Sequence, residues 1–120
     1  MRRGETIGFV GLGRMGWPMS RRLLEAGWTV VGVDPSDEAR SRAAAAGMPV
    51  HSDLRALADC RVVMSSLPDT PQVWQVYEGL MGIIAPGTLC IDLSTISVRA
   101  SRQLAAGAAE RGIAFVDAPV

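Results

Sequence analysis

The chain has 120 residues and a mass of 12.7 kDa, with 48% apolar and 20% charged residues, the balance of one globular domain that buries roughly two-thirds of its unfolded surface without staples. Twelve basic and twelve acidic residues cancel, which argues against a basic footprint for nucleic acid or an anionic membrane. No apolar run reaches the ~18 residues of a membrane span, so neither nucleic acid nor membrane is expected as a partner.

The N-terminus, Met1-Arg2-Arg3-Gly4, leads straight into a strand pattern, which speaks against a secretory signal. The first strand is expected over Thr6–Leu12, followed by a glycine-rich turn and a helix from about Met15 to Ala26. Pro18 is tolerable in that helix's first turn, where a missing N–H costs little. Met19, Leu23 and Ala26 share a face, and Gly27 stops the helix. Strand two, Thr29–Val33, is a near-continuous valine run suited to a sheet covered on both faces. Ser36 is expected to cap the next helix, with Asp37 and Glu38 in its first turn and Gly47 at its end. A short strand at Pro49–His51 precedes a brief helix, capped by Asp53 and running through Leu57.

Strand four is expected over Arg61–Leu67 and is broken by Pro68. Thr70-Pro71 reads as a cap with proline at the first helical position. A helix from Pro71 to about Tyr77 follows, then a separate apolar turn at Leu80–Ile84. Pro86-Gly87 turns the chain into strand five, Thr88–Leu93. Ser97 or Thr95 caps a long helix to Arg111, and strand six is Ala114–Val116. Short β-branched runs alternating with Ala/Arg/Leu-rich stretches predict an α/β domain over residues 1–120. Its six-stranded, doubly wound parallel sheet lies between two helical layers, with expected strand order 3-2-1-4-5-6.

Gly11-Leu12-Gly13-Arg14-Met15-Gly16 is a G-x-G-x-x-G placed after a strand and opening a helix. That context, rather than the string alone, points to a dinucleotide. Gly11 allows the tight turn, Gly13 admits a pyrophosphate to the backbone, and Gly16 lets helix and strand pack closely. The amides at the helix start then face the phosphates. Asp34 ends strand two at the position of the acid that grips the adenosine ribose, where it would repel a 2′-phosphate. No arginine follows before Arg40, so NAD is favoured over NADP. Leu67-Pro68 and Asp92-Leu93-Ser94-Thr95 end strands four and five, where ligands of such sheets bind. The Thr95 hydroxyl can serve the site, cap the next helix, or both.

Other residues read as structural. Trp17, Trp28 and Trp74 are expected to pack. Met15, Met19 and Met64 should line the core or the crevice. His51, the single histidine, has no obvious partner. Cys60 and Cys90 lie in apolar runs, as buried free thiols of a cytosolic protein would. No Cys/His cluster has metal-ligand spacing. All twelve basic residues are arginine, so no lysine amine can act in catalysis from these residues.

The run Gly8-Phe9-Val10-Gly11-Leu12-Gly13-Arg14-Met15-Gly16-Trp17-Pro18-Met19 resembles the N-terminal signature of the β-hydroxyacid dehydrogenases. That family includes 3-hydroxyisobutyrate dehydrogenase, tartronate semialdehyde reductase and 6-phosphogluconate dehydrogenase. Ser66-Leu67-Pro68, Asp92-Leu93-Ser94-Thr95 and Asp117-Ala118-Pro119-Val120 match it further, in order. The resemblance implies that Gly11, Leu12, Gly13, Arg14, Met15 and Gly16 hold the pyrophosphate of NAD and that Asp34 selects the ribose. It places Leu67, Pro68 and Thr95 by the nicotinamide, with Gln72 where some members have asparagine. Val98 stands where the family often has proline. The resemblance also implies a later Ser-Gly-Gly, a catalytic lysine and an all-helical second domain that completes the hydroxyacid pocket and the dimer interface. None of these falls within the 120 residues. The chain is therefore expected to be a cytoplasmic cofactor domain that binds NAD weakly and turns over nothing alone, with a homo-oligomer left open. The glycine-rich turn and the acid after strand two are also similar to the nucleotide-sensing domains of potassium transport systems, the alternative reading.

Overall fold

The computed structural model describes residues 5–120; the Met1–Gly4 segment read above lies outside them. Six parallel strands form one sheet: β1 Thr6–Val10, β2 Thr29–Val33, β3 Val50–His51, β4 Val62–Ser65, β5 Leu89–Asp92 and β6 Ala114–Asp117. Their order is β3-β2-β1-β4-β5-β6, as expected. Four helices cross between them: α1 Gly16–Glu25, α2 Asp37–Ala45, α3 Thr70–Met81 and α4 Val98–Glu110, with a 3-10 turn at Leu54–Leu57.

The two-residue period of a strand divides the core into two clusters. Phe9 and Val30 contribute to a cluster with Ala39, Ala43 and Met48, covered by Trp17, Met19, Leu23 and Trp28. Their strand neighbours Val10 and Val33 join the other cluster, with Val63, Val73, Tyr77, Leu80, Cys90 and Leu104. The tryptophans are thus packing residues, Trp74 against the second cluster. Cys60 and Cys90 are free and buried, and His51 is exposed.

Three local expectations are corrected. β1 stops at Val10, because Gly11 turns the chain at φ +97° and Leu12 leaves the sheet to bury itself over Gly32. A Cβ on Gly32 would lie 2.8 Å from Leu12 Cδ1, so the one glycine in the valine strand makes room for that side chain. α3 is capped by Asp69, whose carboxylate accepts the Gln72 amide at 3.0 Å, and Thr70 is its first helical residue. The same helix runs unbroken through Gly79 to Met81, merging what the sequence reads as a helix and part of a separate turn. Packing of Val73, Tyr77 and Leu80 at helical spacing outweighs one glycine. Of the two caps expected for α4, Ser97 serves, accepting the Ala100 amide at 3.1 Å. On α1, Met19 and Leu23 face the core as expected, while Ala26 is exposed.

Candidate functional site

At the carboxyl ends of β1, β2 and β4 lies a cavity of about 700 Å³. Its floor is the glycine-rich turn. Gly11 donates its amide to Val33 O at 2.9 Å, which ties the turn to β2. A Cβ on Gly16 would stand 1.8 Å from the Gly11 carbonyl oxygen, and one on Gly11 would stand 2.1 Å from Ser66 O. Backbone therefore touches backbone at both positions. Gly13 differs. It lies outside the left-handed region, and a Cβ there would meet no atom within 4 Å. The fold itself has no need of glycine at position 13.

The start of α1 also differs from the other helix starts. Ser36, Asp69 and Ser97 cap α2, α3 and α4 through side-chain oxygens, whereas Met15 offers no side-chain cap to α1. Among the described residues, no acceptor takes the N–H groups of Gly13, Arg14 or Met15. All three residues line the cavity. Unmatched amides at the positive end of a helix attract an anion.

Asp34 lines the cavity just past the end of β2, half-buried. Its Oδ2 accepts the Leu12 amide at 2.8 Å and its Oδ1 accepts the Ser36 amide at 2.9 Å. The carboxylate is thereby fixed, with lone pairs remaining for hydroxyl donors. Two α2 arginines brace the same region from behind. Arg40 Nη1 donates to Asp34 O at 2.8 Å and its other arm pairs with Asp37. Arg42 Nη2 donates to Leu12 O at 2.6 Å, its guanidinium 5.8 Å from the Trp17 ring centre. Arg14 is the one cationic side chain on the cavity wall among the described residues.

Leu67, Pro68 and Gln72 form the far side, as their sequence positions suggest. Met15 lines the cavity and is 57% exposed, an apolar side chain held open toward it. Two candidates sit elsewhere. Leu12 has its side chain in the core and its amide on Asp34. Thr95 is exposed beyond β5 and is not part of the cavity wall. Sequence reasoning did not single out Ser52, Leu54, Gln75 and Val76, which complete the lining. Gln75 and Val76 stand three and four residues after Gln72 on α3, so helical spacing was the available signal. Arg42 had none, since its contact spans 30 residues of sequence.

Beneath the Leu67-Pro68 rim runs a buried polar chain. Ser65 Oγ–H donates to Asp92 Oδ1 at 2.9 Å, and Ser94 Oγ–H donates to the same oxygen at 2.7 Å. Because the Ser65 proton is committed to Asp92, Tyr77 is the donor in its 2.6 Å bond to Ser65. Asp92 Oδ2 has no hydrogen-bond partner. Burial pushes the Asp92 carboxyl above its ordinary value, the Ser94 and Ser65 bonds oppose this, and Asp117 adds to the rise. Burial likewise holds the Tyr77 phenol well up.

Comparison with known proteins agrees with this architecture. Residues 6–120 match the family described as the NAD binding domain of 6-phosphogluconate dehydrogenase. A "Probable 3-hydroxyisobutyrate dehydrogenase" of Mycobacterium tuberculosis is 45% identical over 116 residues, covering 96% of this chain and 40% of the relative. An NAD-dependent L-serine dehydrogenase of Pseudomonas aeruginosa is 42% identical over 120 residues, covering 97% and 40%. The solved structure of Mycobacterium tuberculosis 3-hydroxyisobutyrate dehydrogenase with L-serine superposes with a TM-score of 0.93 at 43% identity, covering 98% of this chain and 40% of that one. The chain thus spans about 40% of the length of the relatives it matches.

Proposed function

The chain belongs to the family of the NAD binding domain of 6-phosphogluconate dehydrogenase, and from that premise we propose that it is the cofactor-holding part of a hydroxyacid dehydrogenase that prefers NAD to NADP. The observation that carries the reading is Gly13. Open space where a Cβ would stand, beside three amides without acceptors, fits a diphosphate bridge.

In this reading the amides of Gly13, Arg14 and Met15 hold the pyrophosphate, with the Arg14 guanidinium as added positive charge. Gly11 and Gly16 keep the turn tight enough to aim those amides. The fixed Asp34 carboxylate accepts from the adenosine ribose hydroxyls and repels a 2′-phosphate. Arg40 and Arg42, already donating to Asp34 O and Leu12 O, do not offset that repulsion. Leu67, Pro68 and Met15 give the nicotinamide half an apolar wall, with Gln72 supplying amide hydrogen bonds and Thr95 nearby in the complete site. The bound dinucleotide supplies hydride chemistry; this domain binds and orients it. The chain holds no lysine, so the proton transfer expected of that residue in the family is not performed by these 120 residues. A small hydroxyacid is the substrate class, in line with the names of the relatives.

Calorimetric titration with NADH and NADPH tests the reading. NADH should bind, and more tightly than NADPH, while a hydroxyacid and NAD together should yield no NADH. Absence of NADH binding refutes the dinucleotide assignment, and tighter NADPH binding refutes the role of Asp34. The potassium-transport sensing alternative forecasts ligand-driven ring assembly, which size analysis with NADH would reveal.

A further inference from the structure

The loop between β4 and α3 carries the Leu67-Pro68 rim, and its backbone has few anchors. Ser66 N–H bonds Val10 O at 2.9 Å on one side, and Asp69 caps α3 on the other. Between them Pro68 has no N–H to offer. Leu67 N–H is therefore the one main-chain donor in the middle of the loop. It goes to the Ser94 hydroxyl at 2.7 Å, 27 residues away.

That hydroxyl is itself fixed. Its proton is committed to Asp92 Oδ1, which also takes the Ser94 amide at 3.3 Å and the Ser65 hydroxyl. Asp92 is fully buried and Ser94 nearly so. With its proton on Asp92, Ser94 can only accept from Leu67. A carboxylate at the end of β5 thus determines which way a serine lone pair points, and the serine sets where the cavity rim stands.

We propose that Ser94, oriented by the buried Asp92, is a positioning residue for the Leu67-Pro68 rim and so sets affinity for the nicotinamide half of the dinucleotide. The inference rests on the dinucleotide reading above. It concerns one half of the ligand: the diphosphate and adenosine contacts belong to the amides of Gly13, Arg14 and Met15 and to Asp34, none of which bonds Ser94.

The test compares NADH with ADP-ribose, which lacks the nicotinamide, on the unaltered chain, Ser94→Ala and Tyr77→Phe. Tyr77→Phe removes another bond of the same buried chain while leaving Leu67 anchored. Ser94→Ala should weaken NADH roughly tenfold, the scale of re-ordering a released rim on binding, and leave ADP-ribose within about twofold. Tyr77→Phe should leave the ratio of the two affinities unchanged. Equal weakening of both ligands by Ser94→Ala, or no weakening, overturns the positioning role. If the unaltered chain binds neither ligand, the dinucleotide reading fails and this inference with it. Hydrogen exchange covers the case in which Ser94→Ala does not fold. In the unaltered chain the Leu67 amide should exchange as slowly as the β4 amides, and exchange at the pace of an open loop would overturn the proposal.

Discussion

Gly13 and Gly16 are two glycines of one motif whose replacement by alanine should fail in opposite ways. At Gly16 the new Cβ would stand 1.8 Å from the Gly11 oxygen and 2.9 Å from the Gly11 carbon. Both are main-chain atoms, so no rotamer change relieves the clash, and the cost is about 3 kcal/mol or more. At Gly13 the new Cβ would meet nothing within 4 Å, and the backbone is outside the left-handed region. Alanine there restricts the unfolded chain without straining the folded one, a gain of about 0.4–1 kcal/mol. The same methyl occupies the space assigned to the diphosphate, so NADH should bind at least about tenfold more weakly, a loss of about 1.4 kcal/mol or more. Urea unfolding followed by NADH titration reads both quantities on each variant. Gly13→Ala should be as stable as the parent, or more so, and poor at binding; Gly16→Ala should lose stability first. A Gly13→Ala chain that binds NADH like the parent would refute the phosphate cradle, because nothing else in the structure gives that glycine a purpose.

Asp34→Ala removes the acceptor of the buried Leu12 amide as well as that of Ser36, so it should cost about 2 kcal/mol of stability and narrow the gap between NADH and NADPH in the same titration. Asp92 titrates higher in the folded chain than its ordinary 3.8, so protons favour the fold; its contribution is full below that value and is lost as pH rises through the folded value. Urea midpoints of the parent should therefore fall relative to Asp92→Asn as pH rises from about 4, and a relative gain would contradict the assignment. Burial pushes the Cys90 thiol up to about 12, and burial followed by Asp59 raises Cys60. A thiol reagent at pH about 8 should therefore label neither cysteine in the native chain and both after unfolding.

The positions of the strands and of the turn were legible because each rests on local chemistry. Valine runs, the capping residues Ser36 and Asp53, and the terminal glycines all point the same way as the tertiary structure. The errors fall where a neighbour distant in sequence decides. Leu12 reads as strand by composition, yet the gap over Gly32 and the Asp34 carboxylate draw it out of the sheet. The helix from Pro71 is expected to stop near Tyr77, yet the core contacts of Tyr77 and Leu80 carry it on past Gly79 to Met81. Asp69 and Thr70 are both acceptable caps by type, and only the loop geometry chooses between them.

The site divides along the same line. Gly11, Gly13, Gly16 and Asp34 form a pattern because a turn and a strand end place them, and both are short-range features. The parts that hold the pattern in shape come from elsewhere: Arg42 on the Leu12 carbonyl, and Ser94 with Asp92 under Leu67. In the sequence Asp92 opens a run, Asp92-Leu93-Ser94-Thr95, expected to border the ligand at a strand end. In the structure it lies under the β4–α3 loop, a buried carboxyl with one oxygen accepting three donors and the other accepting none. Burying such a group costs stability unless its bonds fix something. What these bonds fix is the direction of the Ser94 hydroxyl, and through it the Leu67-Pro68 rim of the cavity. In the proposed reading the two acids thus divide the work, Asp34 orienting the turn under the adenosine half and Asp92 the loop beside the nicotinamide half.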